Sequence, residues 1–355
     1  MSATALHCRI CETEHALEAV GTCPRCFGPL DPVYDWAEAE RVGELLLKLD
    51  TANPTHSFKD RVVAVAAAKA QELGLETLAC SSTGNLANAV AARAAAEGLE
   101  AAVFCPFDLE PEKLLATAVY GATIYGVRGS YDHCSRLTVE LSFELDWAFV
   151  NVTLRSYYAE GSKTLAYEIA EQLGWGAPDA VICPIASGAL FSKIAQGFGE
   201  LTRLGLVDRK PRLYGGQAEG CSPVATAFAG GGRVQPVRPA TIARSLAIGN
   251  PADGDFAVAA ARDTGGAIHA VAEDDVVDNM GLLAETTGVF GETAPGVTLG
   301  ALRQVVASGA LGASDRVVLL VTGDGLKTPE HVRSRLRPIE IEPNADRVLE
   351  RLAAA

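Results

Sequence analysis

The sequence predicts an α/β fold with mostly parallel sheets, and two observations support this prediction. Short apolar runs alternate with helical segments at intervals of about 20 to 30 residues, which is the spacing of parallel βαβ crossovers. Apolar residues make up 48% of the 355 residues and 35 residues are glycine, a composition typical of α/β enzymes. A chain of this length has room for two domains and a small appendage.

The predicted elements alternate from residue 62 onward, and glycines such as Gly74, Gly98 and Gly121 end helices or precede strands. Apolar runs predict strands at 75–80, 101–105, 122–127, 148–152, 180–183, 213–217, 268–271 and 317–321. Helical patterns predict helices at 62–73, 86–97, 112–120, 131–145, 163–173, 189–204, 297–308 and one ending at 287. The stretch 230–239 indicates a surface loop, and the tail after Arg337 predicts a strand and the helix 345–352.

The charge and hydropathy of the chain argue against several classes of partner. The formal net charge is −14, which disfavours binding to nucleic acid or to an anionic membrane surface. No apolar run approaches the roughly 18 residues that a membrane-spanning helix needs. Residues 1–17 carry charge and two cysteines instead of an apolar signal-peptide core. We therefore expect a cytoplasmic protein with no nucleic-acid partner and no membrane partner.

Lys59 lies in an unusual position, at the first turn of the predicted apolar helix 62–73. The spacing of Ser57 and Asp60 matches a helix-start signal in which the serine caps the helix. A cation at a helix N-terminus opposes the helix dipole, and the apolar run behind it predicts burial. Both effects disfavour the ammonium form and favour a nucleophilic amine at Lys59. The alternative is a lysine whose side chain extends to solvent.

Four cysteines near the N-terminus form two Cys-x-x-Cys pairs, Cys8 with Cys11 and Cys23 with Cys26. Each pair predicts a tight turn that holds two thiolates, and four thiolates complete a closed, structural Zn²⁺ site. Two disulfides, or a ribbon that has lost its metal, are the alternatives. The remaining cysteines are expected to be reduced residues of the core or of strand ends: Cys80, Cys105, Cys134, Cys183 and Cys221.

Three polar or glycine-rich segments follow predicted strands, at 81–85, 186–189 and 322–325. In open α/β sheets, ligands bind beyond the carboxyl ends of the strands. The first two segments also precede helices, whose N-terminal N–H groups suit a carboxylate or a phosphate. Each segment alone is consistent with an ordinary turn. Together with Lys59, they indicate a ligand site.

The same segments resemble the hallmark segments of threonine synthase. They read Asn-Pro-Thr-x-Ser-Phe-Lys-Asp-Arg at 53–61, Ser-Thr-Gly-Asn at 82–85 and Thr-Gly-x-Gly-Leu-Lys at 322–327. The likeness also includes the cysteine ribbon and the segments 160–164 and 248–252, so it covers most of the chain. Threonine synthase is one of the fold type II, tryptophan synthase β-like enzymes, which use pyridoxal 5′-phosphate (PLP).

This resemblance implies two three-layer αβα domains with mostly parallel sheets, plus a small N-terminal zinc ribbon. The ribbon is expected at residues 1–35. The large PLP-binding domain is expected at 36–75 and 160–355, and a smaller substrate-side domain at 76–159. The resemblance also implies a homodimer and an amino-acid substrate.

The resemblance assigns roles to single residues. Lys59 would form the Schiff base to PLP and then act as an acid/base. Asn85 would contact the 3′-oxygen of PLP, and Thr322 would face its pyridine nitrogen, where a hydroxyl suits eliminations and replacements. Ser82 and Thr83 would hold the substrate carboxylate. The 5′-phosphate would be held by Ala186, Ser187, Gly188 and Ala189.

Several substrate-side positions depart from the family pattern. His56 stands where threonine synthases usually have glycine, and Leu86-Ala87 stand where they usually have Thr-Ser. Tyr158 replaces the arginine that would clamp a substrate phosphate, and Arg155 precedes it. We therefore treat His56, Arg155 and Tyr158 as candidate substrate contacts. His56 is an extra acid/base, a substrate contact or a turn residue.

The predicted function is PLP-dependent elimination or replacement on an amino acid, with conversion of O-phosphohomoserine to threonine and phosphate as the first candidate. Because the phosphate-clamp positions differ, the alternative is β-elimination or β-replacement on a serine-, threonine- or phosphoserine-type amino acid. A non-catalytic regulator would be expected to lose Lys59. A nucleotide-binding dehydrogenase would need a G-x-G-x-x-G segment after its first strand, which the sequence lacks.

Overall fold

A computed structural model describes residues 3–18, 20–34, 44–109 and 111–353, and the strands in these ranges form three sheets. In chain order the strands are β1 (Ala3–Cys8), β2 (Glu14–His15), β3 (Leu30–Tyr34), β4 (Leu45–Leu49), β5 (Thr77–Ser81), β6 (Glu100–Pro106), β7 (Thr123–Val127), β8 (Ala148–Phe149), β9 (Ala180–Pro184), β10 (Arg212–Ala218), β11 (Ala267–Val271) and β12 (Val317–Val321). A small antiparallel sheet, β2-β1-β3, contains the N-terminal segment.

The helices complete the alternation that the sequence predicts. They are α1 (Lys59–Glu72), α2 (Asn85–Glu97), α3 (Pro111–Ala118), α4 (Tyr131–Leu141), α5 (Arg155–Glu160), α6 (Lys163–Gln172), α7 (Ala189–Arg203), α8 (Pro223–Gly230), α9 (Gly254–Asp263), α10 (Glu273–Thr287), α11 (Thr293–Ala307) and α12 (Ala345–Ala353). Within the described ranges, no helix combines the length and the apolar character needed to cross a membrane.

The largest sheet is entirely parallel and has the strand order β11-β10-β9-β12-β4. Successive side chains of a strand point to opposite faces, so β12 divides its residues between two buried clusters. Val318 and Leu320 pack with residues of α6, α7 and α9, whereas Leu319 packs with residues of α10 and α11. Helices therefore cover both faces, as a parallel sheet requires.

The second parallel sheet has the order β7-β6-β5-β8 and is also covered on both faces. Leu78 on one face of β5 packs in a cluster with Val63 of α1 and Val90 of α2. Ala79 on the other face packs with Phe149 of β8 and with residues of α4. The helix that begins at Lys59 thus contributes to the core of this sheet.

The structure differs from the predicted elements in five places. β4 was not predicted, because its Leu-rich sequence is equally compatible with a helix, and its pairing with β12 decides the outcome. The short helices α5, α8 and α9 were also missed. The strand predicted after Arg337 is wrong: residues 338–342 are exposed and pair with no strand in the described part of the chain.

The predicted cap of α1 is also wrong. Ser57 makes no side-chain cap, and its hydroxyl is buried without a hydrogen-bond partner among the described residues. Asp60 turns back to the preceding loop instead, where its carboxylate accepts hydrogen bonds of 2.9 Å from the backbone N–H and from the hydroxyl of Thr55. Asp60 therefore holds the loop that leads to Lys59 rather than closing a capping box.

A buried network of charges anchors the other side of α1. Arg61 donates a hydrogen bond of 2.9 Å to Asp50 at the end of β4, and it also pairs with Glu168 of α6. Lys48 of β4 pairs with the same Glu168 at 2.8 Å. Burial raises the pKa of Asp50, and the neighbouring guanidinium of Arg61 opposes that rise. The network joins β4, α1 and α6 beneath the first turn of the Lys59 helix.

Candidate active site

Lys59 lies at the start of α1 and points into a pocket. The ammonium Nζ donates a hydrogen bond of 2.9 Å to the hydroxyl of Tyr158, and it lies 4.6 Å from the centre of the Phe58 ring. The side chain of Lys59 is half-buried and does not extend to solvent, which was the alternative interpretation. Its amine is surrounded by aromatic groups and remains accessible from the pocket.

The pocket combines apolar walls with a few polar groups. It contains Lys59, Asn85, Thr322, Tyr158 and the loop 186–189, which come from five separate segments of the chain. Its further lining residues are Phe58, Ser162, Pro184, Leu190, Phe191, Ser245, Leu246, Glu292 and Ala294. This combination is typical of a small-molecule site.

The loop 186–189 joins the end of β9 to the start of α7. Gly188 has a φ of 90°, and a Cβ atom there would lie 2.4 Å from the carbonyl oxygen of Asp253, so only glycine fits. The first N–H groups of α7 have no partner within the helix. A loop of small residues before a helix of 15 residues therefore has the donors that a phosphate needs.

Asn85 and Glu292 form a hydrogen-bonded pair in the pocket. Asn85 is the first residue of α2, and its side-chain amide donates a hydrogen bond of 3.0 Å to the carboxylate of Glu292. Glu292 directly precedes α11 and is almost fully buried. Burial raises the pKa of Glu292 to about 7, while Lys327, Asn85 and Lys59 oppose that rise.

The sequence interpretation missed Glu292. An acidic residue directly before a buried, Ala- and Gly-rich helix is the available signal, because a carboxylate is favoured at a helix N-terminus. That signal is common on protein surfaces. Only the packing of α11 against the strand ends shows that Glu292 is buried beside Asn85.

Thr322 ends β12 and lies beside the Lys59 segment. Its carbonyl oxygen accepts a hydrogen bond of 2.9 Å from the backbone N–H of Phe58. Ser57 and Gly323 also form an antiparallel bridge. These backbone contacts place Lys59 and Thr322 in the same pocket.

Four of the predicted substrate contacts do not line the pocket. His56 is exposed, and its Nδ1 lies 3.0 Å from the carbonyl oxygen of Thr51. Its φ of 60° is in the left-handed region that favours glycine, which supports the turn role. Arg155 pairs with Asp253. The hydroxyl of Ser82 accepts hydrogen bonds from the backbone N–H groups of Gly84 and of Ala87 in α2, and Thr83 is the next residue of the same loop.

The four N-terminal cysteines lie together, with all of their Sγ atoms within 4.8 Å of one another. His15, which the sequence did not single out, places its Nε2 3.3 Å from the Sγ of Cys23. The five remaining cysteines are buried free thiols, as predicted. The arrangement of the N-terminal thiols has the geometry of a four-ligand metal site.

Comparison with known proteins identifies the class of this site. Residues 29–323 match the family described as pyridoxal-phosphate dependent enzyme, so the chain belongs to that family. Within it, the chain is similar to several threonine synthases. The threonine synthase of Methanocaldococcus jannaschii is 35% identical over 318 residues, which cover 88% of this chain and 78% of the relative. That of Bacillus sp. (strain ULM1) is 36% identical, over 85% of this chain and 83% of the relative.

Solved structures agree with the expected fold type II architecture. The processed form of threonine deaminase isoform 2 from Solanum lycopersicum superposes with a TM-score of 0.71 at 18% identity and covers 84% of this chain and 83% of that chain. Maize serine racemase gives a TM-score of 0.68 at 22% identity, over 84% of this chain and 88% of that chain. Taken with the family match, these findings make the chain a PLP-dependent lyase of the elimination and replacement type.

The buried carboxyl of Glu292 predicts a pH-dependent stability of the apoprotein. An unfolded glutamate titrates near ~4.3, so between that pH and about 7 the folded protein holds a proton that the unfolded chain has lost. The free energy of unfolding therefore falls as pH rises through this window. Glu292→Gln keeps an acceptor for Asn85 and removes the titration, so it should be the more stable form at pH 8 by roughly 3 kcal/mol and nearly equal at pH 4.

Urea unfolding of apoprotein at several pH values measures this effect. Glu285→Gln is the matched control, because Glu285 is exposed and pairs with Arg335 at the surface. Parallel pH profiles for wild type and Glu292→Gln would contradict the assignment of a raised pKa to Glu292.

Proposed function

We propose that the pocket binds PLP through Lys59 and that the enzyme eliminates a leaving group from a small amino acid. The observation that carries this proposal is the convergence of one amine, one phosphate-binding loop and two neutral polar side chains in one pocket. Lys59 supplies the amine that attaches the aldehyde carbon. The N–H groups of the loop 186–189 and of α7 suit the 5′-phosphate. Asn85 suits the 3′-oxygen, and Thr322 suits the pyridine nitrogen.

Bound PLP supplies an electron sink that stabilises negative charge at the substrate Cα. The residues of the chain supply the other requirements. The amine of Lys59 would take the Cα proton of the substrate and carry it within the pocket. The apolar walls formed by Phe58, Leu190 and Phe191 exclude water from the reacting atoms. Ser82 and Thr83 lie in the loop just before α2 and outside the pocket lining, and we retain them as the residues that would receive the substrate carboxylate at the pocket entrance.

Two substrate classes follow from two separate observations. The curated relatives are named threonine synthase, which supports O-phosphohomoserine as substrate, with threonine and phosphate as products. The pocket supports an amino acid with an uncharged leaving group. Among the described residues that line it, Lys59 is the only cation, and Glu292 adds a carboxyl group. Arg155, the other candidate clamp, already pairs with Asp253.

We propose further that residues 1–35 form a ribbon around a structural Zn²⁺ held by Cys8, Cys11, Cys23 and Cys26. The grouping of the four thiols supports this assignment. His15 would donate a hydrogen bond to the Cys23 thiolate, as partners of metal ligands commonly do. We retain the division into a large PLP-binding domain (36–75 and 160–355) and a smaller domain (76–159), in a cytoplasmic homodimer.

The attachment of PLP to Lys59 is tested on the purified protein. We expect a visible absorption band that borohydride removes, and mass spectrometry should then find the cofactor on the peptide that contains Lys59. Lys59→Ala should lose both signals and lower turnover by at least about 100-fold. Lys69→Ala is the control, because Lys69 lies on the same helix and pairs with Glu72 at the surface. A cofactor attached to another lysine would refute the proposal.

Product analysis separates the two substrate classes. Holoenzyme is given O-phospho-L-homoserine, with phosphate and threonine as the readout, and L-serine or L-threonine, with 2-oxo acid and ammonia as the readout. Because Lys59 is the only cation among the described lining residues, we expect a higher kcat/KM for the hydroxy amino acids by at least about tenfold. Efficient phosphate release with no 2-oxo acid would instead establish the threonine synthase reaction.

Metal removal tests the ribbon. We expect one zinc per chain by metal analysis, and a chelator should lower the melting temperature because the N-terminal sheet is small and has little core of its own. Cys8→Ser should abolish the zinc, whereas Cys221→Ser, at a buried thiol far along the chain, should leave it in place. Protein purified without zinc and unaffected by the chelator would contradict the site.

A further inference from the structure

Tyr158 lies in the pocket in direct contact with the amine of Lys59. Its hydroxyl accepts a hydrogen bond of 2.9 Å from Nζ of Lys59, and Nζ also lies 5.5 Å from the centre of its ring. Of the described residues that line the pocket, Tyr158 is the one whose side chain is hydrogen-bonded to this amine. A phenol in contact with a proton-carrying amine has the geometry of a proton relay.

The surroundings of Tyr158 hold it in place. It lies on α5, its backbone N–H donates a hydrogen bond of 2.9 Å to the carbonyl oxygen of Leu154, and its ring packs against the buried cluster that includes Val62 of α1. The other acidic group in the pocket, Glu292, is engaged by Asn85. The hydroxyl of Tyr158 is therefore the proton donor best placed to serve a group that reacts beside Lys59.

We propose that Tyr158 is a catalytic residue that passes a proton from Lys59 to the leaving oxygen of a β-hydroxy amino acid, an inference that rests on the proposed PLP function at Lys59. This role of Tyr158 assigns the substrate class, the β-hydroxy amino acids. Hydroxide is a poor leaving group that needs a proton as it departs, whereas phosphate departs without one. A phenol at this place, in a pocket with Lys59 as its only described cation, suits the loss of water.

Protons and electron pairs are conserved in this step. The amine of Lys59 removes the proton from the substrate Cα, and the electron pair of that bond becomes the Cα–Cβ double bond as the Cβ–O bond breaks. The departing oxygen takes the proton of Tyr158 and leaves as water. The phenolate of Tyr158 then takes a proton from the ammonium of Lys59, with which it is hydrogen-bonded. Both side chains return to their starting states, and the released unsaturated amino acid hydrolyses to a 2-oxo acid and ammonia.

The test compares two leaving groups on one carbon skeleton. Wild-type holoenzyme, Tyr158→Phe and the control Tyr157→Phe are given L-serine, which loses water, and β-chloro-L-alanine, which loses chloride without a proton. Tyr157 neighbours Tyr158 but is exposed and lies beside Lys69. We expect Tyr158→Phe to lower kcat for serine by about 100-fold or more. The kcat of this variant for β-chloro-L-alanine should stay within a fewfold of the wild-type value. Tyr157→Phe should change neither.

A spectroscopic readout accompanies the rates. Titration of each holoenzyme with serine, followed by the visible band of the cofactor, should give the same midpoint for Tyr158→Phe and wild type, because binding is retained. Equal losses on both substrates, or a shifted midpoint that accounts for the loss, would reduce Tyr158 to a structural role. Wild-type holoenzyme that carries PLP on Lys59 but releases no 2-oxo acid from serine or threonine would overturn the substrate class alone. Protein without PLP on Lys59 would overturn the proposed function itself.

Discussion

Backbone hydrogen bonds between the Lys59 segment and the loop after β12 are the constraint on which the site depends. The N–H of Phe58 donates a hydrogen bond to the carbonyl oxygen of Thr322, and the N–H of Asp324 donates one to the carbonyl oxygen of His56. Gly323 lies between them, where a Cβ atom would meet the carboxylate of Glu292 at 2.2 Å. These contacts join two segments that are more than 260 residues apart in the chain, so the amine of Lys59 and the hydroxyl of Thr322 share one pocket.

Short-range polar contacts give this arrangement its shape. The carboxylate of Asp60 holds the turn at Thr55, and the left-handed residue His56 follows that turn directly. Arg61 anchors the opposite face of α1 to Asp50. The first turn of α1 is thus fixed from both sides, which leaves the side chain of Lys59 free to extend into the pocket. A fixed helix start that presents one amine to the pocket suits the proton-carrying role proposed for Lys59.

Much of the fold was predictable because parallel βαβ units repeat a simple pattern. Apolar runs such as Val317–Val321 are buried on both faces and contrast with the polar loops after them. The failures have physical causes. β4 depends on its pairing with β12. The segment after Arg337 alternates apolar residues but pairs with no strand among the described residues. Strand formation needs an edge to pair with, which no local pattern records.

The sequence by itself determined the chemistry of the site: a lysine at the start of an apolar helix, a glycine-containing loop before α7, and polar residues at strand ends. Only the tertiary structure decided which of these groups meet. It joined Tyr158 to Lys59 and Glu292 to Asn85, and it placed His56 and Arg155 outside the pocket. The reason is that residue type sets what a side chain can do, whereas side-chain contacts between distant segments depend on how the helices pack around the two sheets.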